Sequence, residues 1–218
     1  VKRYLAYNKS VRVMAIDSTE IVQELRNLHN LSNLATAALG RVVTVSAMIA
    51  ATLKNDDDRI TVQVKGEGPL GNIVVCADKN MNLKGFVTNP QVELELNSEG
   101  KIDVGRGIGA GTLTVIKDIG LKEPYVGTCE LLTGEIGDDF AYYFNVSEQT
   151  PSVVSVGVLI DERGNVLKAG GYIIQPLPDC EESVIDKLES INIKLPSMTS
   201  LMKEGRTIDD IVINATGD

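Results

Sequence analysis

The amino-acid sequence predicts an α+β fold with a central buried helix, followed by short amphipathic helices. Three observations carry this prediction. Residues 34–53 are apolar in every direction around a helix axis, as in a helix enclosed by other layers. From residue 59 onward, apolar and polar side chains alternate with the period of two that half-buried strands show. After Pro178, three short stretches return to helical spacing, and short helices need a surface to pack on.

The composition is that of a soluble chain with a packed core. Of the 218 residues, 43% are hydrophobic and 23% are charged, which suffices for one large domain or a domain with an appendage. The net charge of −9, without a Lys/Arg cluster, argues against nucleic acid and anionic membranes as partners. Cys76, Cys129 and Cys180 lie far apart, and no export signal is visible. We therefore expect reduced thiols and a cytoplasmic protein.

The N-terminal region has the pattern of a hairpin and a helix. Residues 3–16 contain two apolar runs around the turn-like residues 8–10. Asp17 is predicted to cap the following helix, with Glu20 as its reciprocal partner. Apolar residues recur at helical spacing through Leu28, so this helix buries one face.

The apolar segment 34–53 is long enough to span a bilayer, so a membrane helix is the alternative to a buried one. Arg41, near its centre, would cost roughly 2.5–3.5 kcal/mol on insertion. We therefore expect a helix covered by protein on both sides, with Gly40 allowing a close backbone neighbour. Arg41 would then need a carboxylate partner or a route to water.

Alternation of apolar and polar residues predicts the strands, beginning with residues 60–64 and 92–96. Further strands are expected at residues 112–117, 125–132, 153–160 and 166–175. A helix is expected from Ile136 to about Val146. The helices after Pro178 are predicted to begin at Asp179, Ser197 and Thr207, with Glu182 and Asp210 as acidic partners of the first and third.

Two glycine-rich stretches are candidate ligand sites. The string GEGPLG, Gly66–Gly71, matches the G-x-G-x-x-G pattern, but residues 72–78 read as a strand rather than the helix that a pyrophosphate needs. A hairpin turn is favoured, and a small-molecule or nucleotide-binding enzyme using this turn is the alternative. The glycines at 105–111 predict a bend or bulge, with a hinge for strand exchange as the alternative.

No catalytic, cofactor-binding or metal-binding residue is predicted, so we expect that the protein is not an enzyme. His29 is the only histidine and lies at a helix end, where it can interact with the dipole. One histidine and three scattered cysteines give no zinc set. Asp138 and Asp139 stand at a helix start, where carboxylates favour the dipole.

Four of the nine aromatic residues fall within residues 140–144. Their helical spacing indicates a core or subunit contact. The alternative is an exposed apolar surface that binds partners. A structural interaction domain, with these aromatics as a fixed dimer interface, is a further alternative function.

Seven strings together resemble the 33 kDa chaperonin family, the redox-regulated heat-shock holdases. The similarity runs from Val11 to Pro178 and continues more loosely to the end. The strings are HNLSNLATAALGR (29–41), KGEGPLGNI (65–73), GFVTNPQVELELN (85–97), LTVIKDIGLKEPYVG (113–127), TGEIGDDFAYYF (133–144), SEQTPS (147–152) and AGGYIIQPLP (169–178). One such string would be a weak signal, whereas seven in the same order are specific.

The resemblance implies a three-layer β/α/β core in residues 1–178 and a helical linker region in residues 179–218. It implies an ATP-independent holdase that binds unfolded proteins under heat and oxidative stress and associates as a homodimer. Family members also carry a C-terminal zinc domain, whose C-x-C and C-x-x-C thiolates bind zinc when reduced and form disulfide bonds when oxidised. These 218 residues contain neither motif, so the zinc redox domain is absent from them and no cofactor is expected.

Holding an unfolded protein requires exposed apolar area rather than a reaction. The helices after Pro178 are the expected movable cover, which either shields a sheet or itself touches clients. The candidates for the client surface or the dimer contact are Tyr143, Phe144, Leu188, Ile191, Leu201 and Met202. Without the sensor cysteines, we expect holding that does not respond to oxidant.

Overall fold

The computed structural model describes residues 1–218 and contains two antiparallel sheets. The first sheet has four strands. In spatial order they are β1 (Lys2–Ala6), β2 (Val11–Asp17), β9 (Val166–Pro176) and β8 (Val153–Ile160). The predicted N-terminal hairpin is β1–β2, in which Tyr4 pairs with Val13. Because β2 also pairs with β9, this sheet joins the first and last strands of the chain.

The second sheet has five strands. In spatial order they are β5 (Leu83–Val87), β4 (Asn72–Asp78), β3 (Arg59–Gly66), β6 (Gly111–Asp118) and β7 (Tyr125–Glu130). The strands predicted at 60–64, 72–78, 112–117, 125–132, 153–160 and 166–175 are all present, with ends shifted by at most two residues. β5 has no counterpart in the prediction, because its five residues, LKGFV, are too few to give a clear alternation.

One helix lies between the two sheets. α1 (Thr19–His29) leads into α2 (Asn33–Ala50), which contacts strands of both sheets. Ser32 caps α2, since its hydroxyl accepts a hydrogen bond from the Ala35 N–H at 3.0 Å. By length and composition α2 could cross a membrane, but 89% of its residues are buried inside the protein. The predicted enclosed helix and three-layer β/α/β arrangement are therefore confirmed.

Arg41, the only charged residue of α2, has the carboxylate partner that its burial requires. Its side chain is 15% exposed and forms an ion pair with Glu135. Its Nη1 also donates to the Glu135 carbonyl at 3.2 Å. A carboxylate oxygen of Glu135 accepts the Gly105 N–H at 3.0 Å, so Glu135 connects α2 to the short helix of residues 104–108.

Gly40 does allow a close approach, but its neighbours are side chains rather than backbone. A Cβ atom at this position would lie 2.8 Å from a methyl group of Val22 and 2.9 Å from one of Val158. The prediction of a backbone neighbour is therefore wrong, and the absence of a side chain lets α1 and β8 pack directly on α2.

Five further helices complete the fold. They are α3 (Val104–Ile108), α4 (Gly137–Ser147), α5 (Glu182–Lys194), α6 (Met198–Lys203) and α7 (Ile208–Thr216). α6 begins at its predicted cap, Ser197, which accepts the Ser200 N–H. α7 begins at the predicted reciprocal cap formed by Thr207 and Asp210.

Two predicted helix starts are wrong. Asp17 is not the cap residue of α1, because it still belongs to β2 and Ser18 occupies the cap position. Its carboxylate nevertheless accepts the N–H of Thr19, the first residue of α1, at 3.0 Å. α5 begins after Glu181 rather than at Asp179, because the N–H of Cys180 is engaged in a turn just before the helix.

The strand predicted at residues 92–96 is also absent. Its alternation is real, since Val92 and Leu94 are half-buried against the core while Glu93 and Glu95 are exposed. However, no strand of either sheet lies alongside to complete a ladder. The segment is instead held near its start by Ser32, whose Oγ donates to the Val92 carbonyl at 2.6 Å.

The central helix can be tested through Leu39, which is fully buried on α2. Replacing it with alanine should lower the free energy of unfolding by about 2–5 kcal/mol, because a cavity would remain between the sheets. Leu28→Ala should change it by less than about 0.5 kcal/mol, because Leu28 is exposed on α1, contrary to the buried position that its helical spacing predicted. Urea denaturation followed by circular dichroism measures both, and equal losses would contradict the enclosed position of α2.

Candidate functional site

The four-stranded sheet is apolar on both faces. Met14 and Ile16 of β2 and Ile173 of β9 join the main core around α2. The alternate residues point the other way and form a second apolar cluster, which includes Val13 and Ile174. This explains why β2 reads as an almost continuous apolar run, since a strand buried on both faces has no polar side.

The outer face of this sheet is covered by the chain's last three helices. We call residues 179–218, which contain α5, α6 and α7, the cover. The cover contributes seven buried apolar side chains: Leu188, Met198, Leu201, Met202, Ile211, Val212 and Ala215. With the sheet residues they form a buried cluster of 13, separate from the main core. The cover therefore shields a surface that the sheet would otherwise expose to water.

Polar contacts connect the cover to the sheet at few points. The Tyr172 hydroxyl donates to Asn192 Oδ1 at 2.9 Å, and burial raises the pKa of this tyrosine. Lys2 forms an ion pair with Asp209 at 2.6 Å, and the Tyr4 hydroxyl donates to the same carboxylate. Hydrogen bonds from Lys2 and Tyr4 hold the pKa of Asp209 below its usual range.

Packing between the cover and the rest of the chain is incomplete. Four clefts, of about 470, 510, 430 and 240 Å³, are each lined by residues from both sides of this boundary. The first lies between α5 and β8, next to Asn192 and Tyr172. Water can enter these clefts, so the cover buries less apolar area against the rest of the chain than a fully packed layer would.

The six predicted surface candidates are mostly enclosed in this arrangement. Leu188, Leu201 and Met202 are buried against the four-stranded sheet, and Ile191 is half-buried on the same helix as Leu188. They fit the interpretation of the cover as a shield. Tyr143 and Phe144 lie elsewhere, in the main core.

The aromatic cluster is part of that core. The ring centroids of Tyr143 and Phe144 are 5.6 Å apart with an edge-to-face tilt, and Phe140 lies 6.4 Å from Tyr143. The Tyr143 hydroxyl donates to Glu148 at 3.0 Å, and burial raises its pKa. Neither Tyr143 nor Phe144 is accessible to a partner in this conformation.

A second apolar surface lies on the outer face of the five-stranded sheet, which no helix covers. Phe86 pairs with Val74 at one side and Ile116 with Val126 at the other. Phe86 is 49% exposed and Val126 57% exposed. The alternation of residues identifies these positions, but the lack of a covering layer follows only from the tertiary structure.

Comparison with known proteins identifies the family. A family model described as Hsp33 protein matches residues 1–217. The chain belongs to the Hsp33 family. Its relatives are named chaperonins, which supports a chaperone function.

The relatives resemble this chain over nearly all of its length. The 33 kDa chaperonin of Thermoanaerobacter sp. (strain X514) is 48% identical over 219 residues, which cover 100% of this chain and 74% of that protein. That of Caldanaerobacter subterraneus subsp. tengcongensis is 50% identical and covers 95% of this chain and 71% of that protein. A crystal structure of the 33 kDa chaperonin from Thermotoga maritima has a TM-score of 0.92 at 38% identity, covering 99% of this chain and 74% of that one.

In this Hsp33 family member, the turn Gly66–Gly71 connects β3 to β4 as a hairpin. Three of its N–H groups donate to carbonyls of residues 107–110: Glu67 at 2.8 Å, Gly68 at 2.7 Å and Leu70 at 3.0 Å. These donors are therefore engaged by the second glycine-rich stretch and do not point toward a bound phosphate. The glycines of both stretches allow the two backbones to pack together.

Other polar candidates have structural partners. Asp139 is fully buried and accepts hydrogen bonds from the N–H groups of Leu132 at 2.8 Å and Ile136 at 2.9 Å, among others, so it organises the turn before α4. Burial, together with the charges of Asp139 and Glu135, raises the pKa of Asp138. No group of three or more His, Cys, Asp or Glu side chains is arranged to hold a metal ion.

The packing role of the glycine turn is testable at Gly66. A Cβ atom there would lie 2.1 Å from the Ile108 carbonyl oxygen, so Gly66→Ala should lower the free energy of unfolding by about 1–3 kcal/mol. Gly137→Ala, where the nearest atom would be 3.4 Å away, should change it by less than about 1 kcal/mol. Thermal denaturation compares the two, and an unaffected Gly66→Ala would refute the close packing.

Proposed function

We propose that this chain is an ATP-independent holdase, which binds unfolding proteins through apolar surface and prevents their aggregation. The observation that carries the proposal is the apolar cluster of 13 residues between the four-stranded sheet and the cover. Displacing the cover would uncover two apolar surfaces at once, the sheet face and the helices themselves. Holding by apolar burial needs neither a reaction nor a bound nucleotide.

Apolar burial favours the closed position of the cover, and the loss of backbone freedom on ordering it opposes that position. Its short helices contribute little stability by themselves. Because clefts also interrupt the packing, the cover is the part of the chain that we expect to open before the main core does.

The apolar surface that is uncovered when the cover is displaced would bind clients weakly and without sequence preference. Apolar burial is non-directional, and the loss of freedom on association offsets much of its gain. The bare face of the five-stranded sheet adds apolar side chains, including Phe86 and Val126, that need no displacement. Reversible, unselective binding is what a holdase requires.

We further propose that the chain acts as a homodimer in the cytoplasm, as the family resemblance implies. The enzyme alternative receives less support, because backbone carbonyls already engage the N–H groups of the Gly66–Gly71 turn. The alternative of a fixed dimer interface at residues 140–144 also receives less support, because Tyr143 and Phe144 are buried within their own chain.

For these 218 residues we propose holding that does not depend on oxidation. Burial raises the pKa of the Cys129 thiol to about 11, and Asp139 adds to the effect, so this thiol stays protonated and unreactive near neutral pH. Cys76 is exposed on the bare sheet face, and Cys180 lies just before α5. None of the three lies in a C-x-C or C-x-x-C motif.

Loosening the cover should increase holding. In the double variant Leu188→Ala/Ile211→Ala, each substitution removes a buried side chain at a cost of about 2 kcal/mol or more. The open population should rise at least tenfold, with more binding of an apolar fluorescent dye and stronger suppression of light scattering by an aggregating client. The matched control is Ile193→Ala/Ile213→Ala on the same two helices, whose side chains are 83% and 58% exposed. Unchanged holding in the first variant, with its dye binding increased, would contradict the role of the covered surface.

Oxidant should have no effect on holding by this chain. With and without peroxide, suppression of client light scattering should agree within experimental error, and Cys76→Ser should behave like the parent chain. Protection that appears only after peroxide treatment would overturn the proposal of oxidation-independent holding.

A further inference from the structure

The segment Val92–Asn97, which follows β5, has the side-chain pattern of a strand but no strand partner. We call it the extended segment. Val92 and Leu94 are half-buried and pack against the main core, whereas Glu93 and Glu95 are exposed. This alternation leaves one face on the protein and the other in water, as in an edge strand.

The backbone of this segment carries a row of unused hydrogen-bonding groups. The N–H and carbonyl groups of Glu93, Leu94, Glu95 and Leu96 make no hydrogen bond within the chain. A β-ladder offers the same kind of row at its edge, where it can receive another strand.

Both ends of the segment are fixed. Before it, the Ser32 N–H donates to the Pro90 carbonyl at 2.8 Å. After it, the Asn97 N–H donates to the Lys101 carbonyl at 2.8 Å. Together with the packing of Val92 and Leu94, these contacts hold the segment in place, so that less freedom is lost when a partner binds.

The charges of the segment select the chemistry of its partner. Glu93 and Glu95 make no ion pair, although one oxygen of Glu93 accepts the Asn33 N–H at 2.8 Å. Opposite charges on facing strand positions stabilise a pair, and like charges destabilise it. A second copy of this segment, paired antiparallel about Leu94, would place Glu93 against Glu95, so self-pairing is disfavoured.

We propose that the extended segment binds an extended stretch of client polypeptide that carries Lys or Arg at alternate positions. The inference rests on the proposed holdase function and gives it a specific docking strand. Backbone pairing accepts many sequences, which suits unfolded clients, while the two glutamates favour basic stretches over acidic ones. Since the segment is exposed while the cover is closed, it offers a first contact to a client before the apolar surface opens.

The experiment uses the 218-residue chain and fluorescein-labelled peptides, with binding read by fluorescence anisotropy. A peptide of alternating Val and Lys should bind about tenfold more tightly than one of alternating Val and Glu. The same Val-Lys peptide with backbone N-methyl groups along one edge should lose most of its affinity, because its donors are removed without changing its charge. Equal binding of the methylated and unmethylated peptides would overturn strand pairing.

The variant Glu93→Lys/Glu95→Lys should invert the preference between the two peptides. The control Glu24→Lys/Glu123→Lys makes the same change in net charge at exposed positions elsewhere and should keep the original preference. If both variants lose the preference between the two peptides, net charge alone would explain it, and the assignment of the extended segment as a docking strand would be overturned. A change in oligomeric state of the first variant alone, by sedimentation, would instead indicate that the segment contacts a second copy.

Client light scattering separates this inference from the proposed function. Holding that persists while the parent chain shows no peptide preference would overturn the docking strand alone. Peptide binding as described, without any suppression of aggregation, would overturn the holdase proposal while leaving the strand pairing in place.

Discussion

The burial of α2 between two sheets is the constraint on which the rest of the structure depends. A helix without a polar face is stable in water only when other layers enclose it, and the two antiparallel sheets provide those layers. Several of its polar side chains have partners within the chain, but Ser46 Oγ and Arg41 Nε are buried without one. Thr44 shares a hydrogen bond of 2.7 Å with Ser18, the residue that precedes α1, and Arg41 is paired with Glu135. The helix thereby fixes the positions of α1, of the turn before α4 and of both sheets.

The two sheets differ in how far their outer faces are exposed to water. Each uses its inner face to enclose α2, but their outer faces differ in composition and in cover. The four-stranded sheet is apolar outside and is shielded by three helices, whereas the five-stranded sheet mixes Thr and Gln with a few apolar residues and stays bare. The chain thus has one outer sheet face of moderate apolarity that no helix covers and a more apolar one that the cover shields.

Local patterns in the sequence predict the elements well, and the reason is physical. Period-two alternation follows from strand geometry, so β3, β6 and β8 can be located without their partners. The caps of α6 and α7 join a side chain to a backbone N–H three residues further on and are equally local. The enclosed state of α2 follows from its own composition, since Arg41 and the absence of a polar face restrict the alternatives.

What could not be predicted depends on residues far apart in the chain. The segment Val92–Asn97 has strand alternation, but a ladder also needs a neighbouring edge, and the fold supplies none there. The burial of Tyr143 and Phe144 depends on packing against the main core, which helical spacing alone does not reveal. Among the candidate site residues, Leu188, Leu201 and Met202 could be recognised as the apolar faces of short helices, but the surface they contact could not. The exposure of Phe86 and Val126 likewise depends on strand order.

The hydrogen bonds between β1 and α7 couple the two ends of the polypeptide. β1 is an edge strand, with β2 as its only strand neighbour. Its hairpin contacts α7 through Lys2 and Tyr4, which bind Asp209, and through Tyr7, which donates to the Thr216 carbonyl. Departure of α7 would therefore also remove these side-chain contacts and weaken the attachment of the outermost strand, which would keep its ladder with β2. A displacement of α7 would then affect both the outer face and the edge of the four-stranded sheet. The first residues of the chain would in turn help to hold its last helix in place.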